Sequence, residues 1–128
     1  MSSYNNLTDA EKGYVKTHPY NAYVIHRAKE IATKETRKRF GKNGRNDKSD
    51  AFRHCYWSSM VSRDIGEAQA KIFADLHESS PHNPVHEKLM DIFNNSVGIG
   101  IGRNGGGDIS LSRQCYQALT QKKLKVLR

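Results

Sequence analysis

The sequence predicts an all-α protein: a compact single-domain bundle of about six helices over residues 1–128, with a basic loop and a Gly-rich loop. Three observations carry this expectation. Apolar residues recur three and four apart through most of the chain, the spacing of helices with one buried face. Between these stretches stand a capping box, a proline suited to a helix start, and glycines suited to helix ends. No segment alternates convincingly with period two, and only Val97-Gly98-Ile99-Gly100-Ile101 offers a short strand. At 128 residues the chain has the size of one domain and can bury a core without disulfides. Hydrophobic residues make up 36%, which predicts a small core under a large wetted surface.

The elements follow in order. Thr8-Asp9-Ala10-Glu11 reads as a capping box and opens a short helix that stops near His18-Pro19. Pro19 suits the first turn of a second helix that runs to Phe40 and ends at Gly41. Val24, Ala28, Ile31 and Ala32 form its expected buried stripe. Residues 41–48 hold no apolar side chain and read as a mobile basic loop. Ser49 can cap a third helix from Asp50 to about Arg63, Gly66 breaks it, and Glu67 to Glu78 makes a fourth. Ser79 to Pro84 reads as a rigid polar turn, and a fifth helix runs from near Val85 at least to Val97. Gly105-Gly106-Gly107 is a flexible link, after which Asp108 or Ser110 caps a last helix through Leu119. Cys55 and Cys115 stand among apolar residues at no metal or redox spacing, which predicts buried free thiols.

Charge narrows the partners. Twenty-one Lys+Arg against 13 Asp+Glu give +8, so the domain is attracted to nucleic acid, anionic lipid or an acidic protein. Lys34, Arg37, Lys38, Arg39, Lys42, Arg45 and Lys48 form one basic stretch; Lys122, Lys123, Lys125 and Arg128 form another. The plain alternative is a solvated face. No apolar run approaches the roughly 18 residues of a membrane span. The first residues lack the pattern of a secretory signal peptide, so export is expected by a route that reads none, with a cytoplasmic location otherwise.

Three groups of polar residues could carry chemistry. Asp50 and His54 lie four apart on a helix and share a face with Trp57, beside Arg53, which could clamp a phosphate. A His–carboxylate pair of this kind fixes an imidazole tautomer or supplies two metal ligands; a surface ion pair is the bland alternative. His77 falls on the stripe of Ala70, Phe73 and Ala74, and so points inward beside Glu78, where it needs a partner. On the fifth helix Glu87, Asp91, Asn94, Asn95, Gly98 and Gly102 make a polar strip. Leu89, Met90, Ile92, Phe93, Val97 and Ile99 make the other side. Glycine at the far end of the strip admits another backbone or a ligand, and Glu87 beside Asp91 is unfavourable without a cation between them. Oxygen-rich donors with imidazole suit Mg²⁺ or Ca²⁺, and also Mn²⁺ or Zn²⁺.

The order Ser49-Asp50-Ala51-Phe52-Arg53-His54-x-x-Trp57, then His77-Glu78, then Met90-Asp91-x-x-Asn94-Asn95-x-x-Gly98 resembles small bacterial effector or polymorphic-toxin domains, over roughly residues 8 to 120. Such domains attack nucleic acid, membrane lipid or the cell wall of a competitor. The resemblance implies a single effector domain with hydrolase activity, carried by the matching polar positions, and a cognate immunity protein as a possible partner.

The expectation is therefore a secreted antibacterial, divalent-metal-dependent nuclease, acting on DNA without sequence preference. Glu78, Glu87 and Asp91 would hold the metal with Asn94 or Asn95. His54, oriented by Asp50, would be the general base, with His77 in the same catalytic group and Arg53 stabilising phosphate charge. Lys38, Arg39, Lys42, Arg45 and Lys48 would hold the nucleic-acid backbone. The alternatives are a toxin that hydrolyses membrane phospholipid or peptidoglycan, and a non-enzymatic basic nucleic-acid-binding module.

Overall fold

The computed structural model describes residues 7–79 and 84–128. Among the described residues it holds six helices and no strand. These are α1 (Asp9–Thr17), α2 (Pro19–Phe40), α3 (Lys48–Ile65), α4 (Glu67–His77), α5 (Val85–Arg103) and α6 (Asp108–Thr120). Four of the six expected polar-turn residues, 80–83, lie outside the described residues. Among the described residues no helix is long and apolar enough to cross a membrane.

The helix ends largely follow the expected chemistry. Thr8 Oγ1 accepts the Glu11 N–H at 3.1 Å while Glu11 Oε1 accepts the Thr8 N–H at 2.9 Å, closing the capping box. Gly41 ends α2 with φ of 74°, the left-handed conformation glycine adopts without strain. The buried stripe of α2 is Ile25, Ala28, Ala32 and Thr36, one residue along from the expected Val24. The cap of α3 is Asp47 rather than Ser49. Asp47 Oδ1 accepts the Asp50 N–H at 3.0 Å and the Ser49 hydroxyl at 2.6 Å, so the carboxylate takes the helix and the hydroxyl supports it. Asp108 does not cap α6 through its side chain; it pairs with Arg63 at 2.7 Å, and Gly107 occupies the cap position.

α3 is the central element and packs on α2, α4, α5 and α6. Its contact with α5 is closest. A Cβ on Gly98 would lie 2.2 Å from the Cys55 carbonyl oxygen, and one on Gly102 would lie 2.0 Å from that of Ser59. Only glycine permits this approach, and α3 meets it with small residues; Ser62 Oγ donates to the Ile99 carbonyl at 2.8 Å. The short strand allowed at 97–101 is therefore helix, because tertiary packing outweighs the poor helix propensity of glycine there. The thiols of Cys55 and Cys115 are free, buried and 2.9 Å apart between α3 and α6.

Two connections are tighter than composition suggested. The basic loop before α3 is pinned, since Gly44 N–H donates to Ser49 Oγ at 2.8 Å and Asn46 N–H to Asp50 Oδ2 at 2.7 Å. Arg53 holds the same loop through the Gly44 carbonyl at 2.9 Å and Asn43 Oδ1 at 3.2 Å. These hydrogen bonds, the one to Asp50 buried and the others partly so, contradict a freely moving loop. The chain after α6 is tied as well. Asn94 bonds both the N–H and the carbonyl of Lys125, at 2.8 and 2.9 Å, and Asn46 O accepts from the N–H groups of Leu127 and Arg128.

Candidate metal centre

The two central helices bring one histidine among three carboxylates. Asp50 and His54 stand one turn apart on α3, Asp91 and Asn95 one turn apart on α5, and Glu78 follows the end of α4. His54 Nε2 lies 3.3 Å from Asp50 Oδ1 and 3.4 Å from Asp91 Oδ1. Its other nitrogen, Nδ1, lies 3.2 Å from Asn95 Oδ1, which also receives Ser58 Oγ at 3.1 Å. Ser58 bonds the His54 carbonyl in turn. Trp57 presents an edge-on ring to His54 on one side and to His77 on the other.

The electrostatics follow from this geometry. Nδ1 faces Asn95 Oδ1 and Nε2 faces two carboxylate oxygens, so the imidazolium form can donate on both sides of the ring. The convergence of Nε2 and these oxygens needs positive charge: Arg53 supplies part of it to Asp50 Oδ1, and a proton on Nε2 or a metal can supply the rest. Burial alone would discourage protonation of His54. The hydrogen bond to Asp50 and the charges of Asp91, Asp50 and Glu78 overcome it and raise its pKa. Burial raises Glu78 and Asp91, each against the pull of His54. Asp50 is lowered despite its burial by His54, the Asn46 N–H and Arg53. Among the described residues, the buried side-chain polar atoms without a hydrogen-bond partner are Glu78 Oε2, Asp91 Oδ1 and Asn95 Nδ2. All three belong to this cluster.

Asp50, His54 and Asp91 could hold a divalent cation. Oxygen and nitrogen ligands about 2.1 Å from a metal lie roughly 3.0–3.4 Å from one another at tetrahedral to octahedral angles. One donor atom each from Asp50, His54 and Asp91 lies within 4.8 Å of the others. Asn95 fixes the imidazole from behind, the role of an outer partner to a metal-bound histidine. Arg53 at 2.6 Å from Asp50 Oδ1 fixes the carboxylate. The cluster opens into a polar cavity of about 270 Å³ that Glu87 and Arg45 also line. His77 also lines, with Trp57 and Lys29, a separate, mainly apolar cavity of about 180 Å³, to which Leu7, Val15, Ile25 and Phe73 contribute.

Several residues expected at the site serve elsewhere. Asn94 is fully buried, and its whole amide is spent on Lys125, so it is not available as a metal ligand. Glu87 stands at the cavity rim, 2.7 Å from Arg45. The Arg53 guanidinium is taken up by Asp50, Asn43 and Gly44, which removes it as a free phosphate clamp. His77 lines the cavity, but its Nδ1 is 2.8 Å from Glu11 Oε2. Arg39 lies over the Phe52 and Tyr116 rings and 3.3 Å from Glu35, and so has a packing role. Lys42 pairs with Asp47 at 3.3 Å, while Lys38 and Lys48 are exposed. Glu11 is the buried residue that sequence reasoning assigned to capping alone; one of its oxygens caps, and the other holds His77.

The polar strip of α5 is its buried side. Asn94, Asn95, Gly98 and Gly102 face the interior together with Met90 and Ile99, whereas Leu89, Ile92 and Phe93 are exposed. Helical periodicity had separated the two sides without saying which one meets α3. No solved structure matches the chain. A family model described as "Domain of unknown function (DUF6973)" matches residues 12–126, and the chain belongs to that family.

Proposed function

We propose that the protein is a divalent-cation-dependent phosphodiesterase, and that it acts as an antibacterial effector with a cognate immunity protein. The observation that carries this reading is His54 Nε2 facing both Asp50 and Asp91, beside the buried Glu78 Oε2 that has no hydrogen-bond partner. His54, Asp91 and Asp50 would hold the cation, which when bound polarises a phosphoryl oxygen and acidifies water. Glu78, buried with a free oxygen in the same cavity, takes the proton from the attacking water. The parts expected for His54 as base and Glu78 as ligand are thereby exchanged. Asn95 and Arg53 hold the imidazole and the Asp50 carboxylate in place.

Nucleic acid is the first substrate class, because the chain carries +8 and exposes Lys38, Lys48 and Arg45. A phospholipid headgroup, also a phosphodiester, is the second; the apolar cavity that shares the His77 side chain with the polar one favours it, since nucleic acid has no use for such a space. The test incubates EDTA-stripped protein with plasmid DNA, RNA and phosphatidylglycerol vesicles, then restores Mg²⁺, Ca²⁺, Mn²⁺ or Zn²⁺ singly. Turnover that needs a restored metal supports the reading, and the cleaved substrate selects the class. Turnover indifferent to EDTA, or none on any substrate, overturns it.

A further inference from the structure

The outward side of α5 is apolar where a solvated helix would be polar. Val85 is 68% exposed, Leu89 56%, Ile92 40% and Phe93 38%, at spacings that place them on one face. The acids of this helix, Glu87 and Asp91, point the other way, into the cavity. Alongside runs the chain that follows α6. Residues 109–128 contain Arg113, Lys122, Lys123, Lys125 and Arg128 and no Asp or Glu. Asn94 fixes Lys125 against α5, and Lys125 Nζ stands 4.8 Å from the centre of the Phe93 ring. Asn46 fixes the end of the chain, where Leu127 is 48% exposed.

We propose that this face is a docking surface for an anionic lipid bilayer. Exposed aliphatic and aromatic side chains enter the boundary between headgroups and acyl chains, and a cationic border attracts the headgroups; the two together are the pattern of an interfacial helix. A second copy of the chain is a poor occupant, because both partners would bring the same uncompensated cations to one interface. Nucleic acid would engage the cations and leave Val85, Leu89 and Ile92 in water. The docked face borders the mouth of the carboxylate cavity, since the charge of Arg128 acts on Glu87 at its rim. The surface does not depend on the phosphodiesterase reading, and its test is run without metal.

The experiment is co-sedimentation in EDTA with vesicles of equal parts phosphatidylglycerol and phosphatidylcholine, or of phosphatidylcholine alone. The full chain is compared with Leu89→Ser/Ile92→Ser and with Lys122→Gln/Lys123→Gln/Lys125→Gln. The substituted side chains are largely exposed, and circular dichroism verifies that the helices persist. The expected result is about tenfold stronger partitioning onto anionic vesicles, with each variant losing about tenfold. Wild-type affinity in the Leu89→Ser/Ile92→Ser variant shows attraction by charge alone and overturns the proposal. So does an equal loss of duplex DNA binding in that variant. Self-association of the unsubstituted chain without vesicles, abolished by the same two changes, assigns the face to a second copy and overturns it too.

Discussion

Two histidines flank Trp57, and each has a carboxylate, yet the two pairs are built differently. His77 has Glu11 at 2.8 Å, and both Glu11 oxygens are satisfied, one by the ring and one by the Thr8 N–H. One base meets one acid, and the pair ties α4 to α1. His54 stands in a cluster of three acids, Asp50, Asp91 and Glu78, and the same cluster holds three unpartnered buried atoms. A matched pair is complete within the fold. A cluster of three acids around one histidine, only one of them held by Arg53, needs protons or a bound cation to offset the rest. Under the proposed function, the difference separates a histidine that holds the structure from one that holds the cation.

The largest expected effect breaks the second pair alone. His54→Ala and Asp91→Asn should each lower metal-dependent turnover at least about 100-fold while retaining the helical spectrum. His77→Ala should keep most turnover and lower the thermal midpoint instead, since it leaves Glu11 buried without its partner, a loss of about 1–3 kcal/mol. If His77→Ala abolishes turnover in protein that remains folded, the separation of roles fails.

Gly98→Ala is the next largest. Its Cβ would meet the Cys55 carbonyl, so α5 must move off α3 at a cost of about 1–3 kcal/mol or more. Asp91 and Asn95 ride on α5, whereas the pair of His77 and Glu11 joins α4 to α1. The variant should therefore lose metal-dependent stabilisation along with stability in denaturant titration. Gly98→Ala with unchanged stability would contradict the close helix contact.

The smallest effects give the comparison a sign. Glu11 is lowered: burial opposes its charge, but His77 and Thr8 prevail. Its stabilisation is present above the unfolded carboxylate pKa of about 4.3 and is lost as pH falls through the lowered folded value. Glu11→Gln should then destabilise at pH 7 and become harmless in strong acid. Glu78 is raised by burial, so the native state favours its protonated form, and that advantage is lost as pH rises through the raised value. In EDTA, Glu78→Gln should stabilise the chain at pH 7 by up to about 1 kcal/mol and change nothing near pH 3. Shifts of the same sign for the two variants at pH 7 would erase the distinction.

Much of the fold could be read from local chemistry. The capping box at Thr8, Pro19 at a helix start and Gly41 at a helix end each act over a few residues, and each is where the sequence places it. The same holds for Asp50 and His54, which one helical turn brings together. What escaped was set by partners distant in the chain. The Gly98 and Gly102 segment is helical because α3 approaches it, and the loop at 41–47 is held by Arg53, Asp50 and the C-terminal residues. Asn94 and Asn95 are neighbours with equal polarity, but a turn of about 100° sends one to Lys125 and the other to His54. Glu11 carried a capping signal that accounted for one of its oxygens only.

Cation binding by the His54 cluster is the property from which the proposed chemistry follows. Isothermal titration of EDTA-stripped protein with Mg²⁺, Ca²⁺, Mn²⁺ and Zn²⁺ measures it without any assumption about substrate. At least one of these ions should bind with one-to-one saturation and raise the thermal midpoint. Asp91→Asn should weaken that binding at least about tenfold, while His77→Ala leaves it intact. No saturable heat with any of the four ions, or equal affinity in Asp91→Asn, would contradict the account.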